Sequence, residues 1–182
     1  SATGAAPRAA LQKLAAEPDT LTVRKLWKAL TVAERSDALR AAFAADEQGA
    51  IALRAAQALI KAKRYRPQTV AAMNAAKIAT ELAPVPIDDT TLIDAALIDL
   101  HFAHRRPMMG AFLDAAGIPH EEGRLPEDTS TLSPSPDSLR AAADTLAAAY
   151  PLDDVYVYFL TLALQDEKTW GALKDWLRAR AG

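Results

Sequence analysis

An all-α fold of nine or ten short antiparallel helices is predicted for this chain by three observations. Alanine, leucine, arginine, lysine and glutamate dominate the sequence, and these residues have the highest intrinsic helix propensity. Apolar residues recur at the three- and four-residue spacing of one helix face. Prolines, glycines and capping residues interrupt this pattern at the intervals of a short helix. Together these signals indicate where each helix begins and ends.

The first three helices are bounded by proline and threonine. Pro7 suits the first position of a helix that Pro18 ends, and Thr20 can cap a second helix. The tetrapeptide Thr31-Val32-Ala33-Glu34 has the Ser/Thr-x-x-Glu spacing of a capping box. It predicts that a third helix begins there and runs to about Ala45.

The fourth and fifth helices are separated by a short connection. The fourth follows a turn at Gly49 and runs to about Arg64, and the fifth covers residues 67–82. Pro84 and Pro86 end the fifth helix, because the residue before a proline is driven out of the α region.

The sixth and seventh helices precede the longest loop. Asp89 or Thr90 caps the sixth helix, and Pro107 begins the seventh. The tripeptide Gly117-Ile118-Pro119 predicts a left-handed C-cap that ends the seventh helix. Residues 119–136 then form a loop of a length that, in compact domains, is typical of functional or disordered segments.

Three further helices complete the predicted fold. Ser135 begins the eighth, Pro151 begins the ninth, and the tenth contains Trp170 and Trp176. Residues 155–164 alternate β-branched and aromatic side chains as a strand does. The proline and the acids in the first turn, together with the lack of a second strand to pair with, nevertheless predict a helix there.

A single helical domain over residues 1–182 is expected from the length of the chain. The proline-containing segment 84–89 would join two lobes, 1–83 and 90–182. The paired helices predict either a superhelical array of helical pairs, of the HEAT or TPR kind, or an irregular orthogonal bundle.

Composition excludes several classes of function. The formal charge is −2 with both signs interspersed, which does not favour nucleic acid or an anionic membrane as partner. The absence of cysteine excludes disulfides, thiolate metal sites and a cysteine nucleophile. No apolar run reaches the ~20 residues of a membrane helix, and no phosphate-binding loop or nucleophile elbow is present. We expect a cytoplasmic protein without a cofactor, unless a leader was removed before Ser1.

All three histidines lie within residues 90–123. His101 and His104 are one helical turn apart, a geometry in which two imidazoles can share a metal, and His120 or Glu121 would complete the ligand set. The same side chains would serve as acid or base beside a carboxylate. The interpretation that we favour has no metal: His104 lies at the edge of an apolar stripe, and His101 faces a groove beside it.

Two basic clusters have structural interpretations. Arg105 and Arg106 are predicted at the C-terminus of the sixth helix, where cations offset the helix dipole. An anion site is the alternative, because the helix that begins at Pro107 directs free amides to the same junction. The run 61–66 is also predicted to be a solvated helix end rather than a nucleic-acid platform.

Met108 and Met109 are predicted core residues that would become partner anchors if exposed. The expected function is that of a helical binding module, which recognises a protein partner or small ligand in a groove beside residues 90–136. The alternative is a metal-dependent or acid–base enzyme that uses His101, His104 and His120. The candidate contact residues of the groove are His101, His104, Arg105, Arg106, Met108, Met109, His120 and Glu121.

Overall fold

The computed structural model describes residues 4–182, and 71% of these residues are helical with no strand among them. The predicted all-α class is confirmed. None of the helices in this part of the chain is long and apolar enough to cross a membrane. A 3₁₀ turn at Pro18–Thr20 follows the first of eleven α-helices. The α-helices are α1 (Ala9–Ala16), α2 (Val23–Ala29), α3 (Val32–Ala45), α4 (Ala50–Lys63), α5 (Pro67–Ala71), α6 (Ala75–Leu82), α7 (Thr90–His104), α8 (Arg106–Ala115), α9 (Pro136–Ala149), α10 (Leu152–Gln165) and α11 (Glu167–Ala181).

The prediction of one helix over residues 67–82 is wrong, because the structure divides this stretch into α5 and α6. Asn74 lies between them with extended backbone, and its side chain accepts a hydrogen bond from the Lys77 N–H at 2.8 Å. An asparagine side chain that binds a backbone amide in this way begins a new helix instead of continuing the previous one. The number of helices therefore exceeds the predicted nine or ten.

Several predicted helix ends are confirmed in atomic detail. The Thr31 hydroxyl accepts from the Glu34 N–H at 3.1 Å, and the Glu34 carboxylate accepts from the Thr31 N–H at 2.8 Å, which forms the predicted capping box. Gly117 has a φ of 69° after α8, and the Ile118 N–H donates to the Leu113 carbonyl at 2.9 Å. These contacts are those of a Schellman C-cap.

The described residues fold as two compact units. The continuous unit is Val23–Ala103, and the discontinuous unit combines the chain up to Thr22 with His104–Gly182. Segment 84–89, which the sequence suggests as a lobe boundary, lies inside the continuous unit. There Ile87 is only 4% exposed, and Asp88 pairs with Arg24 at 2.6 Å. The single domain over 1–182 and its two lobes stay predictions.

In the discontinuous unit, α10 supplies the most completely buried surface. Every side chain from Val155 to Ala163 is buried, so the helix is apolar on all sides, and the predicted helix over 155–164 is confirmed. Helix α10 packs on α11 and α1, α11 packs on α1 and α9, and α8 packs on α9. Phe159 forms the centre of an aromatic cluster, with its ring 4.9 Å from Phe112 and 5.4 Å from Trp176. These aromatic side chains contribute to the core.

In the continuous unit, α6 is a shared packing partner. Helices α3 and α4 both pack on α6, α4 also packs on α5, and α3 packs on α4. Leu39, Leu59 and Leu82 are fully buried, one on each of α3, α4 and α6. Asp89 begins the last helix of the unit, because its side chain accepts from the Leu92 N–H at 3.1 Å.

Candidate functional site

The two histidines of α7 differ in exposure, and His101 is buried instead of facing a groove as predicted. His101 is only 2% exposed, and its Nδ1–H donates to the Leu97 carbonyl one turn earlier at 2.7 Å. His104 is exposed as the last residue of the helix. The apolar positions of α7 extend to His101 because this imidazole binds the backbone of its own helix, whereas His104 lies beyond the last buried turn.

His120 holds the start of the long loop against the end of α8. Its Nε2–H donates to the Asp114 carboxylate at 2.6 Å, and its Nδ1 accepts from the Gly123 N–H at 3.0 Å. These partners select the neutral tautomer that carries its proton on Nε2. Both ring nitrogens are therefore engaged within the discontinuous unit, which gives His120 a structural role in loop closure.

No metal-ligand set forms from residues 4–182, because no three histidine, aspartate or glutamate side chains in this range are arranged to hold an ion. Glu121 is exposed, and its backbone exchanges two hydrogen bonds of 2.9 Å with Arg124 in a small bridge. Nδ1 of His101 and both ring nitrogens of His120 are engaged in hydrogen bonds to neighbouring residues.

The positions of Arg105 and Arg106 correct the prediction that both lie at the end of the sixth helix. Helix α7 ends at His104, Arg105 is the N-cap residue of α8, and Arg106 is the first residue of α8. Arg105 pairs with Asp154 at 3.1 Å, and Arg106 pairs with Glu122 at 3.0 Å. Carboxylates of the same unit thus already neutralise the two cations that the alternative anion site would use.

Met108 and Met109 are buried, with 3% and 5% of their surface exposed. A Cβ atom added to Gly123 would lie 3.2 Å from the Cβ atom of Met109, so the loop packs directly on this side chain. The methionines contribute packing, as the sequence predicts, and do not form an exposed anchor.

Comparison of the chain with protein-family models, with curated proteins and with solved structures finds no match. The candidate site therefore depends on the chemistry and geometry of the chain itself.

Two adjoining clefts lie beside segment 84–89 of the continuous unit, and the sequence prediction missed both. The Trp27 cleft has a volume of about 460 Å³, and the Arg54 cleft has a volume of about 630 Å³. Val85 and Pro86 form a wall that both clefts share. The Trp27 cleft is also lined by Arg24, Trp27, Lys28, Arg35, Pro84 and Ile87, and the Arg54 cleft by Arg54, Gln57, Ala58, Lys61, Ala62, Asp88 and Asp89.

The charges around the clefts are held in place by the two aspartates of the segment. Asp88 pairs with Arg24 at 2.6 Å and with Lys61 at 3.3 Å. Asp89 pairs with Arg54 at 2.9 Å. Burial acts to raise the pKa of Asp89, but hydrogen bonds from the Leu92 N–H and from Arg54 outweigh it and hold the pKa below its usual value. Asp89 is thus ionised at neutral pH, where it positions Arg54 at the rim of its cleft.

Trp27 and Arg35, which line the Trp27 cleft, each contain a buried N–H group. Trp27 is only 3% exposed, and neither its Nε1 nor the Nε of Arg35 has a hydrogen-bond partner among the described residues. Arg35 Nη1 lies 3.4 Å from the carbonyls of Trp27 and Lys28 at the end of α2. Burial lowers the pKa of Arg35, and the neighbouring Glu34 acts in the opposite direction.

A signal for these clefts is present in the sequence. Arg24, Trp27 and Lys28 are spaced three and four residues apart, which places them on one face of α2. Arg54 and Lys61 are two turns apart on α4. Cations at helical spacing near a Pro-x-Pro segment are a weak pattern, because only the folded chain brings α2, α3 and α4 to the same segment.

Proposed function

We propose that the chain is a helical binding module, and that its partner is an acidic protein segment that lies across the two clefts beside segment 84–89. The observation that carries this proposal is the composition of the two clefts. Their lining includes five cations and two acids, around a shared wall of Val85 and Pro86. Apolar walls with a few convergent polar groups are typical of binding sites.

Charge complementarity supports an acidic partner. The continuous unit contains eleven lysine and arginine residues and nine aspartate and glutamate residues, a formal charge of +2. The rest of the chain contains ten lysine and arginine residues and fourteen aspartate and glutamate residues, a formal charge of −4. The overall charge of −2 therefore conceals a unit that attracts negative ligands, and complementary charge accelerates association and selects partners.

A protein segment fits these clefts better than a nucleic acid. Asp88 and Asp89 lie among the cations and would repel a continuous phosphate backbone, whereas a peptide can place a single acid opposite the exposed Lys28. Val85 and Pro86 offer apolar surface for the side chains between those acids. As part of the same proposal, the module acts in the cytoplasm and not at a membrane.

The groove beside residues 90–136 that the sequence suggests receives less support. Met108 and Met109 are buried, and Arg105, Arg106 and His120 bind carboxylates of their own unit. The same contacts argue against the alternative enzyme, because His120 has neither ring nitrogen available for proton transfer.

Peptide selection tests the proposed function. A display library of peptides rich in acidic and apolar residues is panned on the chain, beside a matched library in which basic residues replace the acidic ones. We expect binders from the acidic library alone, with an affinity that falls as the salt concentration rises. Failure to obtain any acidic binder would refute the proposal, as would tighter binding of an oligonucleotide than of any selected peptide.

Paired charge-reversal variants locate the surface. Lys28 and Lys61 are exposed, one at each cleft, and Lys28→Glu with Lys61→Glu should weaken the selected peptide by roughly tenfold or more. Lys13→Glu with Lys168→Glu makes the same charge change on exposed positions of the discontinuous unit and should preserve binding. An equal loss in both double variants would show that net charge, and not the cleft surface, determines binding.

A further inference from the structure

We propose that Arg64 and Arg66, which follow α4 beside the Arg54 cleft, form a site for the carboxylates of the partner segment. This inference rests on the proposed function and specifies where the acids of the partner lie. Both arginines are exposed, and the side chain of neither forms a hydrogen bond or an ion pair with another residue of the range 4–182. We call these two residues the Arg64–Arg66 site.

The rest of the basic run 61–66 is already engaged within the fold. Its other polar side chains bind acids of the same unit: Lys61 pairs with Asp88 at 3.3 Å, Lys63 pairs with Glu81 at 3.5 Å, and the Tyr65 hydroxyl donates to Glu81 at 3.2 Å. The two lysines also lie in the last turn of α4, where they offset the helix dipole without help from Arg64. The positive charge that the fold leaves available is therefore that of Arg64 and Arg66.

The backbone of Arg64 indicates that its side chain serves a contact outside the fold. Arg64 has a φ of 56°, in the left-handed region that is unfavourable for a residue with a Cβ atom. Four of the six residues with positive φ in the described part of the chain are glycines, and the sixth, Glu122, uses its side chain to pair with Arg106. Glycine in place of Arg64 would relieve the strain without loss of any hydrogen bond or ion pair. Residues in such sparsely populated conformations cluster at functional sites, which supports a ligand contact for this arginine.

The chemistry of the site favours carboxylates on a peptide. A guanidinium group presents paired N–H donors that match the two oxygens of a carboxylate. A continuous phosphate backbone would also meet Glu81 and Asp88, the acids that pair with the neighbouring lysines. A peptide can place one acid at each arginine and a neutral residue beside those carboxylates.

The distance from the Arg54 cleft specifies the spacing of the partner's residues. Ala58 lines that cleft together with Val85 and Pro86, and Arg64 follows Ala58 by six residues on the same helix. Six residues span about 9 Å along a helix, which an extended peptide covers with about three residues. We therefore expect the acids of the partner about three or four residues from the apolar residue that packs on Val85 and Pro86.

Arg64→Gly tests the site, because strain relief and loss of binding change two measurements in opposite directions. Glycine removes the left-handed penalty, so the melting temperature should rise by about 2–4 °C. Glycine also removes the guanidinium, so the affinity for the peptide selected from the acidic library should fall about threefold or more. A variant that is more stable than the wild type does not lose affinity through misfolding.

Three further variants serve as controls. Arg64→Lys keeps the charge and the strain, so it should leave the melting temperature unchanged and weaken the peptide less than Arg64→Gly does. Arg66 has an ordinary φ of −69° and no capping hydrogen bond from its side chain, so Arg66→Gln should weaken the peptide about threefold at constant stability. Lys13→Gln removes one exposed charge from the discontinuous unit and should change neither measurement.

Double-mutant cycles identify the acids that face the arginines. Each acid of the selected peptide is replaced in turn by its amide, and each peptide is measured against Arg64→Gly and Arg66→Gln. We expect a coupling between each arginine and one particular acid. Additive effects for every acid would overturn the site.

The remaining outcomes separate this inference from the proposed function. Unchanged peptide affinity in both Arg64→Gly and Arg66→Gln overturns the Arg64–Arg66 site, and the proposed function stands if Lys28→Glu with Lys61→Glu still weakens the peptide. A lower melting temperature in Arg64→Gly would show that the arginine supports the fold, and it also overturns the site.

Two probes other than the selected peptide complete the test. Hexaglutamate is titrated while ¹⁵N-correlated NMR spectra follow the backbone signals of Arg64 and Arg66. Saturable shifts of these signals, in the absence of any acidic binder from the library, support the site and refute the proposed function. A single-stranded oligonucleotide that binds more tightly than hexaglutamate, and that depends on both arginines, would overturn the assignment to carboxylates.

Discussion

Gly117→Ala isolates the backbone cost of the left-handed cap at the end of α8. Gly117 has a φ of 69°, and an added Cβ atom would meet no other atom within 4 Å. The substitution therefore introduces no steric clash, and its effect comes from the conformation alone. A left-handed conformation costs a residue with a Cβ atom roughly 1–2 kcal/mol, of which the lower entropy of the unfolded alanine chain offsets ~0.4–1 kcal/mol. We expect a net loss of about 1 kcal/mol in the free energy of unfolding.

Gly171→Ala is the matched control, because it changes the composition of the chain in the same way. Gly171 lies within α11, in the same discontinuous unit as Gly117, and its added Cβ atom also meets nothing within 4 Å. Alanine is preferred to glycine inside a helix by roughly 0.5–1 kcal/mol, so this variant should be more stable than the wild type. The two isomeric variants should thus differ by about 1.5–2 kcal/mol, with opposite signs relative to the wild type.

Urea unfolding followed by circular dichroism measures both variants. The free-energy change follows from the shift in midpoint at constant slope, and thermal unfolding should show shifts of about 2–4 °C for each kcal/mol in a chain of this size. If Gly117→Ala raised the midpoint as Gly171→Ala does, the left-handed cap would not be the conformation that ends α8.

Three further predictions concern the histidines and a half-buried acid. His120→Ala should lower the free energy of unfolding by ~1–2 kcal/mol, because the part-buried Gly123 N–H loses its acceptor; urea midpoints identical to the wild type would contradict the role of His120 in loop closure. Burial raises the pKa of Asp94, so the folded state binds more protons there than the unfolded state, and stability falls as the pH rises from the ordinary carboxyl range through the raised pKa. Asp94→Asn should therefore increase the melting temperature at neutral pH and remove this decline, and a lower melting temperature would show that the ionised carboxylate is stabilising. Zn²⁺ in modest excess should leave the melting temperature unchanged, and a saturable rise that disappears in the His101→Ala, His104→Ala double variant would restore the metal hypothesis.

The helix ends that could be predicted from sequence are those whose signal is local. The capping box at Thr31 and the cap at Gly117 each involve residues within one turn, so the backbone and a few side chains determine them. The break at Asn74 is equally local, but an asparagine is compatible with both a helix interior and an N-cap. A polar residue at such a position is best treated as an alternative helix start.

The features that could not be predicted depend on contacts between residues far apart in sequence. The exposure of His101 and His104 depends on which surfaces cover the last turns of α7. The Trp27 cleft requires segment 84–87 to lie beside α2 and α3. Trp27 precedes this segment by about sixty residues in the sequence. Periodicity identifies the apolar face of a helix, but it does not identify which other helix or loop covers that face.

The discontinuous unit has a consequence for how the chain folds during synthesis. Leu11 and Ala15 of α1 are fully buried, and the Arg8 N–H donates to Asp153, 145 residues later in the chain. Helix α1 therefore leaves the ribosome long before α10 and α11 have been made, whereas all residues of the continuous unit are available once Ala103 has been added. Contacts across so long a separation form slowly. We expect the nascent chain to present the apolar side of α1 to chaperones until translation reaches α11, and we expect amide exchange in the native protein to detect detachment of α1 before any other helix of that unit opens.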